Sequence, residues 1–67
     1  MEVNKVISYR KCLGLTQEQI AKEIGISTDG YAKKERGEQQ FKKKEMAEFQ
    51  RLLSNVGLQV TIDEIFF

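Results

Sequence analysis

Apolar residues recur at spacings of three and four along most of the chain, which is the period of helices with one buried face. Val6, Tyr9 and Leu13 share such a face, and the pattern predicts a first helix from about Val3 to Leu13, ended by Gly14. Ile20, Ala21 and Ile24 mark a second helix, about Gln17–Ile24. Thr16 and Gln19 are spaced to form a capping box at its start, each side chain meeting the other residue's free backbone N–H. Gly25 follows the last apolar residue, where a helix end turns left-handed at least cost for glycine. Ser27 is placed to cap a third helix, about Thr28–Lys34, with Tyr31 facing inward and Gly37 beyond its end. Met46, Phe49, Leu52, Leu53 and Val56 form an amphipathic stripe that predicts a fourth helix from about Lys42 to Leu53 or slightly further. In the stretch Ser54–Val60, Leu58, Val60 and Ile62 alternate with Gln59 and Thr61, which is strand periodicity. A second capping-box pair, Thr61 and Glu64, starts a short helix at Ile62–Phe66, so a loop with at most a brief extended piece is expected between them.

Two short helices joined by a tight turn at Ile24-Gly25-Ile26 match the helix-turn-helix, whose second helix enters the major groove of DNA. They also match an ordinary helical hairpin in a small bundle. Spacing alone leaves these two readings nearly even.

Composition narrows the class. Sixty-seven residues make a single domain, 1–67, with a modest core and small net stability. A hydrophobic content of 40% is enough for a globular core, and the absence of proline and tryptophan suits a helical bundle. No apolar run reaches the length of a membrane span and no signal-peptide pattern opens the chain, so a cytoplasmic protein is expected. With no histidine and a single cysteine, Cys12, neither a zinc site nor an intrachain disulfide is expected, and no cofactor. Cys12 reads as a small helix residue at or near the surface. No nucleophile–base pair or glycine-rich phosphate loop is present, so an enzyme is the poorest candidate.

The net charge of +1 is weak for a nucleic-acid binder, but its distribution is uneven. Residues 1–44 carry ten Lys/Arg against six Asp/Glu, or +4, and residues 45–67 carry one against four, or −3. The positive part contains the two-helix unit. Lys42, Lys43 and Lys44 fall at the start of a helix, where cations are disfavoured, and a neighbouring phosphate backbone would supply the missing counter-charge. A solvated basic turn is the plainer reading. Gln17 stands at a helix N-terminus, where N–H groups and the dipole attract phosphate.

The stretch LGLTQEQIAKEIGIS, followed by YAKKERG, resembles the Cro/repressor-type (Xre-like) helix-turn-helix family of phage and bacterial transcription regulators. The likeness is dense from Arg10 to Gly37 and resumes at TIDEIFF, residues 61–67. It implies an all-α, compact five-helix, lambda-repressor-like DNA-binding domain with the helix-turn-helix at about 17–35. It implies base contacts from Thr28, Asp29 and Lys33. Lys33 can donate to guanine, Thr28 can pack on a thymine methyl or hydrogen-bond, and Asp29 can accept from cytosine N4. It implies phosphate contacts from Gln17, Ser27, Arg36 and the Lys42–Lys44 run. It further implies an ion pair between Arg10 and Glu35, tying the first helix to the end of the third. Relatives carry an apolar residue where Lys34 stands, so that end of the recognition helix is expected to be less well packed. Relatives also pass more directly from the fourth helix to the last one; SNVGLQV is longer.

A two-fold homodimer through Leu58, Phe66 and Phe67 is expected, on a palindromic double-stranded operator. The alternative for Phe66 is that it closes the monomer's own core. Phe41 is expected to anchor the third helix against the fourth. Two functions on the same fold compete: an antitoxin-like module with autoregulatory DNA binding, which the long segment after the fourth helix and the near-neutral charge allow, and a protein-interaction module that has lost DNA binding, with Asp29 and Glu38 near the DNA face in its favour. Gly30, in mid-helix, costs about 1 kcal/mol relative to alanine and reads either as a close approach or as tolerated sequence.

Overall fold

A computed structural model describes residues 5–67. Its helices are α1 (Lys5–Leu13), α2 (Gln17–Ile24), α3 (Thr28–Glu35), α4 (Lys43–Asn55) and α5 (Ile62–Phe66). There is no strand among the described residues. The expected start of the first helix near Val3 lies outside them.

Local chemistry sets most helix ends. Thr16 accepts from the Gln19 N–H at 3.2 Å, and Gln19 Oε1 accepts from the Thr16 N–H at 2.9 Å. Thr61 and Glu64 make the same exchange at α5. Ser27 Oγ accepts from the Gly30 N–H at 3.0 Å and caps α3. A side chain at Gly30 would place its Cβ 2.9 Å from that oxygen, so the glycine leaves room for the cap. At Gly25 the chain adopts φ +80°, and the Ile26 N–H reaches back to the Ala21 carbonyl at 2.9 Å. Any residue with a Cβ would be strained there. The turn also swings Ile26 down onto the core.

The core consists of Val6, Ile20, Ala21, Ile24, Tyr31, Phe49, Leu53 and Ile65. α2 packs on α3, with Ala21 small enough to let the helices approach, and α5 lies against both α1 and α4. An aromatic chain closes the other side. Phe41 meets Tyr31 edge-on at 5.9 Å and Phe66 at 4.9 Å, and Phe66 meets Phe49 at 5.5 Å. Such tilted and edge-on contacts suit the ring quadrupoles. Phe41 therefore bridges α3 to α5, and Phe66 carries the chain of rings on to α4.

One residue of the predicted stripe departs from it. Val56 is 57% exposed, not part of the core. α4 ends at Asn55, and Gly57 at φ +88° turns the chain so that Leu58, instead of Val56, folds onto the core. The segment from Leu58 to Val60 is irregular, with both apolar residues partly buried. Gln50 Nε2 donates to the Val60 carbonyl at 2.9 Å and holds this piece against α4.

Candidate nucleic-acid interface

The outward face of α3 follows from which of its residues the core claims. Tyr31 and Glu35, four residues apart, point inward and are buried. Thr28 and Asp29 are thereby left exposed, with the neighbouring Ala32 and Lys33 half-buried. Lys33 Nζ lies 3.3 Å from Asp29 Oδ2, with side chains 41% and 81% exposed. Ser27 sits at the N-terminal edge of this face. Its oxygen already accepts the Gly30 N–H, and its own O–H can still donate.

Beneath that face lies a buried hub on Glu35, which is 4% exposed. Arg10 Nε donates to Glu35 Oε2 at 2.7 Å, the Tyr31 hydroxyl donates to the same oxygen at 2.7 Å, and Gln17 Nε2 donates to Oε1 at 2.8 Å. Arg10 Nη1 also donates to the Leu15 carbonyl at 2.9 Å. One carboxylate thus joins α1, α2 and α3. Burial pushes the Glu35 carboxyl upward, but the hydrogen bonds from Arg10, Tyr31 and Gln17 outweigh it and hold the group below its ordinary value. The bond to Glu35 raises the Arg10 guanidinium, and burial followed by the Glu35 contact raises the Tyr31 phenol. Tyr31 therefore stays neutral and donates. Gln17 serves this hub through its side-chain amide. Its position at the first turn of α2 leaves the backbone N–H groups of that turn without intrahelical acceptors, the usual feature behind phosphate binding.

The far end of α3 carries Arg36, whose Nε lies 2.6 Å from Glu38 Oε2, both side chains 55% exposed. Next to it, Lys34 is 10% exposed and bridges both oxygens of Glu45, at 2.6 and 2.7 Å. The end of α3 is therefore tied to the first turn of α4 by a nearly buried ion pair. Glu45 also accepts the Lys42 N–H at 2.9 Å, capping α4. Burial pushes the Glu45 carboxyl up; the Lys34 and Lys42 hydrogen bonds more than reverse this, and the net direction is down. Part of the counter-charge missing from the Lys42–Lys44 run comes from Glu45. All three lysines remain exposed.

The structure brings Thr28, Asp29, Lys33 and Arg36 together along α3, and links Lys42 to that helix through Glu45 and Lys34. Leu58 and Phe66 pack against the protein's own core, and Phe67 is 79% exposed. Sequence reading did not find the Lys34–Glu45 bridge. The partners are eleven residues apart across a loop, and no periodicity relates them. The Tyr31–Glu35 bond does carry a signal in the sequence, the i,i+4 spacing. Cys12 is exposed.

An α-helical unit capped at Thr16 and Ser27, turned at Gly25 and backed by a buried carboxylate hub defines a helix-turn-helix protein. The family model described as Helix-turn-helix matches residues 6–65, and the chain belongs to that family, the Cro/repressor-type group of DNA-binding regulators. Among curated proteins and solved structures, none matches the chain. Among the described residues, no helix is long and apolar enough to cross a membrane.

Proposed function

We propose that the protein is a sequence-specific transcription regulator, a repressor of phage or bacterial type, that inserts α3 into the major groove of an operator. The single observation that carries this reading is the outward face of α3. Thr28, Asp29 and Lys33 are free of the core, while Tyr31 and Glu35 anchor the opposite side. In this reading Lys33 donates to guanine O6 or N7, Thr28 contacts a thymine methyl or a base edge, and Asp29 accepts from cytosine N4. Gln17, Ser27, Arg36 and Lys42–Lys44 meet the flanking phosphates. A cytoplasmic homodimer would place two such helices in successive major grooves, about 34 Å apart on a palindromic site. In this reading Phe67, which is exposed, makes the dimer contact together with Leu58 and Phe66, which are partly buried against the core.

The experiment is selection of bound sequences from a random duplex pool at two salt concentrations. A palindromic consensus is the expected result; recovery of no consensus, or of sequences that do not repeat, would overturn the reading. A single-residue check follows. Lys33→Ala is expected to weaken binding to the selected site by about 1–3 kcal/mol and to relax the preference at one base position. Unchanged affinity and selectivity in a gel-shift titration would remove Lys33 from the base-reading set.

The antitoxin-like or protein-interaction reading on the same fold draws on the exposed Phe67 and Val56. The antitoxin-like form expects co-purification with a neighbouring gene's product, with DNA binding kept as autoregulation; the protein-interaction form expects no gel shift even at low salt.

A further inference from the structure

The cations proposed to meet DNA are already in company. Asp29 stands against Lys33 at 3.3 Å and Glu38 against Arg36 at 2.6 Å. The two pairs also feel one another: Glu38 senses Lys33 and Asp29, and Arg36 senses Asp29. Four side chains at the end and outward side of α3 thus form one patch of zero net charge, in the middle of the surface that would have to approach a polyanion.

The placement of Glu38 has a specific backbone cause. Gly37 adopts φ +86°, and the chain folds back so that the Glu38 N–H bonds the Lys33 carbonyl at 2.9 Å, with the Gly37 N–H on the Lys34 carbonyl at 3.1 Å. The same turn ends α1, α2 and α4, where the residue after the glycine is Leu15, Ile26 or Leu58 and packs on the core. An apolar residue is the ordinary occupant of that position. After α3 the position holds a carboxylate, exposed, beside Lys33 and Arg36.

We propose that Asp29 and Glu38 act as internal substitutes for phosphate on Lys33 and Arg36, and that Asp29 is specificity-determining because a duplex with the right base edges replaces its bond to Lys33. This rests on the DNA-binding reading above and adds a role for the two carboxylates. Sequence-independent binding is the sum of cation–phosphate contacts and scales with the cations free to make them. A neighbouring carboxylate occupies each cation and repels the strand, so an arbitrary duplex gains little. A correct site offers guanine acceptors to Lys33 and a cytosine amino group to Asp29, so the lost ion pair is replaced on both sides. Asp29 therefore lowers affinity for an arbitrary duplex more than for the operator, which widens the ratio between them, while Glu38, whose partner Arg36 meets phosphate in any duplex, lowers affinity for both alike.

The test uses the full chain and two variants, Glu38→Gln and Asp29→Asn, alone and together. Both positions are exposed, and surface pairs contribute little to stability, so the variants should fold; far-UV circular dichroism checks this. Fluorescence anisotropy is measured with a labelled random-sequence duplex and with the consensus duplex from the selection, across a salt series. Affinity for the random duplex is expected to rise about two- to fivefold per carboxylate removed. Its salt dependence should steepen by about 0.9 in log–log slope for each cation released. Asp29→Asn should raise consensus binding less than random binding, so that discrimination falls, whereas Glu38→Gln should raise both alike. If the parent binds the consensus and the variants bind the random duplex no better than the parent, this inference fails alone. If the parent binds neither duplex at low salt, the DNA-binding reading and the inference fail together.

Discussion

Glu35→Ala is expected to destabilise the protein by about 3 kcal/mol or more. The carboxylate is 4% exposed and holds Arg10, Gln17 and Tyr31 at 2.7 to 2.8 Å. Removing it leaves a guanidinium that is 15% exposed, an amide and a phenol facing a void. Arg10 keeps some access to water and its bond to the Leu15 carbonyl, which places the cost at the lower end of the range for a broken buried pair. A domain of this size has roughly 3–10 kcal/mol to lose. The variant should therefore lose roughly a third or more of its stability, read as a large drop in the urea midpoint by circular dichroism. Glu35→Gln keeps the shape and removes the charge, and should cost roughly half as much. A change below about 1 kcal/mol in Glu35→Ala would mean that the hub is a set of solvated contacts.

The same hub has a pH signature. Glu35 and Glu45 are both held below the ordinary carboxyl value of 4.5. The unfolded chain therefore takes up protons at these groups before the folded one does. Their contribution is present above about pH 5 and is lost as pH falls through 4.5 towards the folded values. The urea midpoint should be level with respect to these groups from neutral pH down to about 5 and fall below it, and Glu35→Gln should flatten that acid limb. An acid limb as steep in the variant as in the parent would assign it to other carboxylates.

The second large effect is expected at Glu45. Glu45→Ala strands the Lys34 ammonium, which is 10% exposed, and deletes the cap on the Lys42 N–H. A lost cap costs about 1 kcal/mol, and an unpaired buried charge more. Lysine can swing outward on its long stem, so about 2–3 kcal/mol in total is expected. The double variant Lys34→Leu with Glu45→Gln should behave differently. Glutamine at that position still accepts the Lys42 N–H, and leucine supplies the apolar contact that the family resemblance expects there. Its stability should lie within about 1 kcal/mol of the parent or above it, because a buried ion pair rarely outperforms well-packed apolar side chains. A double variant as unstable as Glu45→Ala would show that the ion pair itself holds α3 to α4.

Several features were readable residue by residue. Thr16 with Gln19 and Thr61 with Glu64 are local pairs, and both caps form as spaced. Gly25 sits one place beyond an apolar stripe and takes the left-handed turn. The inward faces of α2 and α4 follow from a spacing of three and four, and Ile20, Ala21, Ile24, Phe49 and Leu53 are buried. Val56 extended the α4 stripe on paper, yet it is exposed, because periodicity continues past the point where the helix stops. The pairing of Arg10 with Glu35 was implied by family resemblance, and nothing in their separation of twenty-five residues would have suggested it.

By itself, the sequence determined the helices, their caps and turns and the sides they bury, and it carried the family likeness that pointed to DNA. These depend on neighbours within one turn or one short loop, where spacing alone decides which groups can meet. Only the tertiary structure decided that Lys34 closes on Glu45, that Phe66 lies between Phe41 and Phe49, and that Glu38 folds back beside Arg36 as one corner of a neutral patch on α3. The bridge and the ring contacts depend on distances in space between separate elements, which no period along the chain encodes, and the placement of Glu38 depends on the left-handed turn at Gly37 that folds it back on the end of α3.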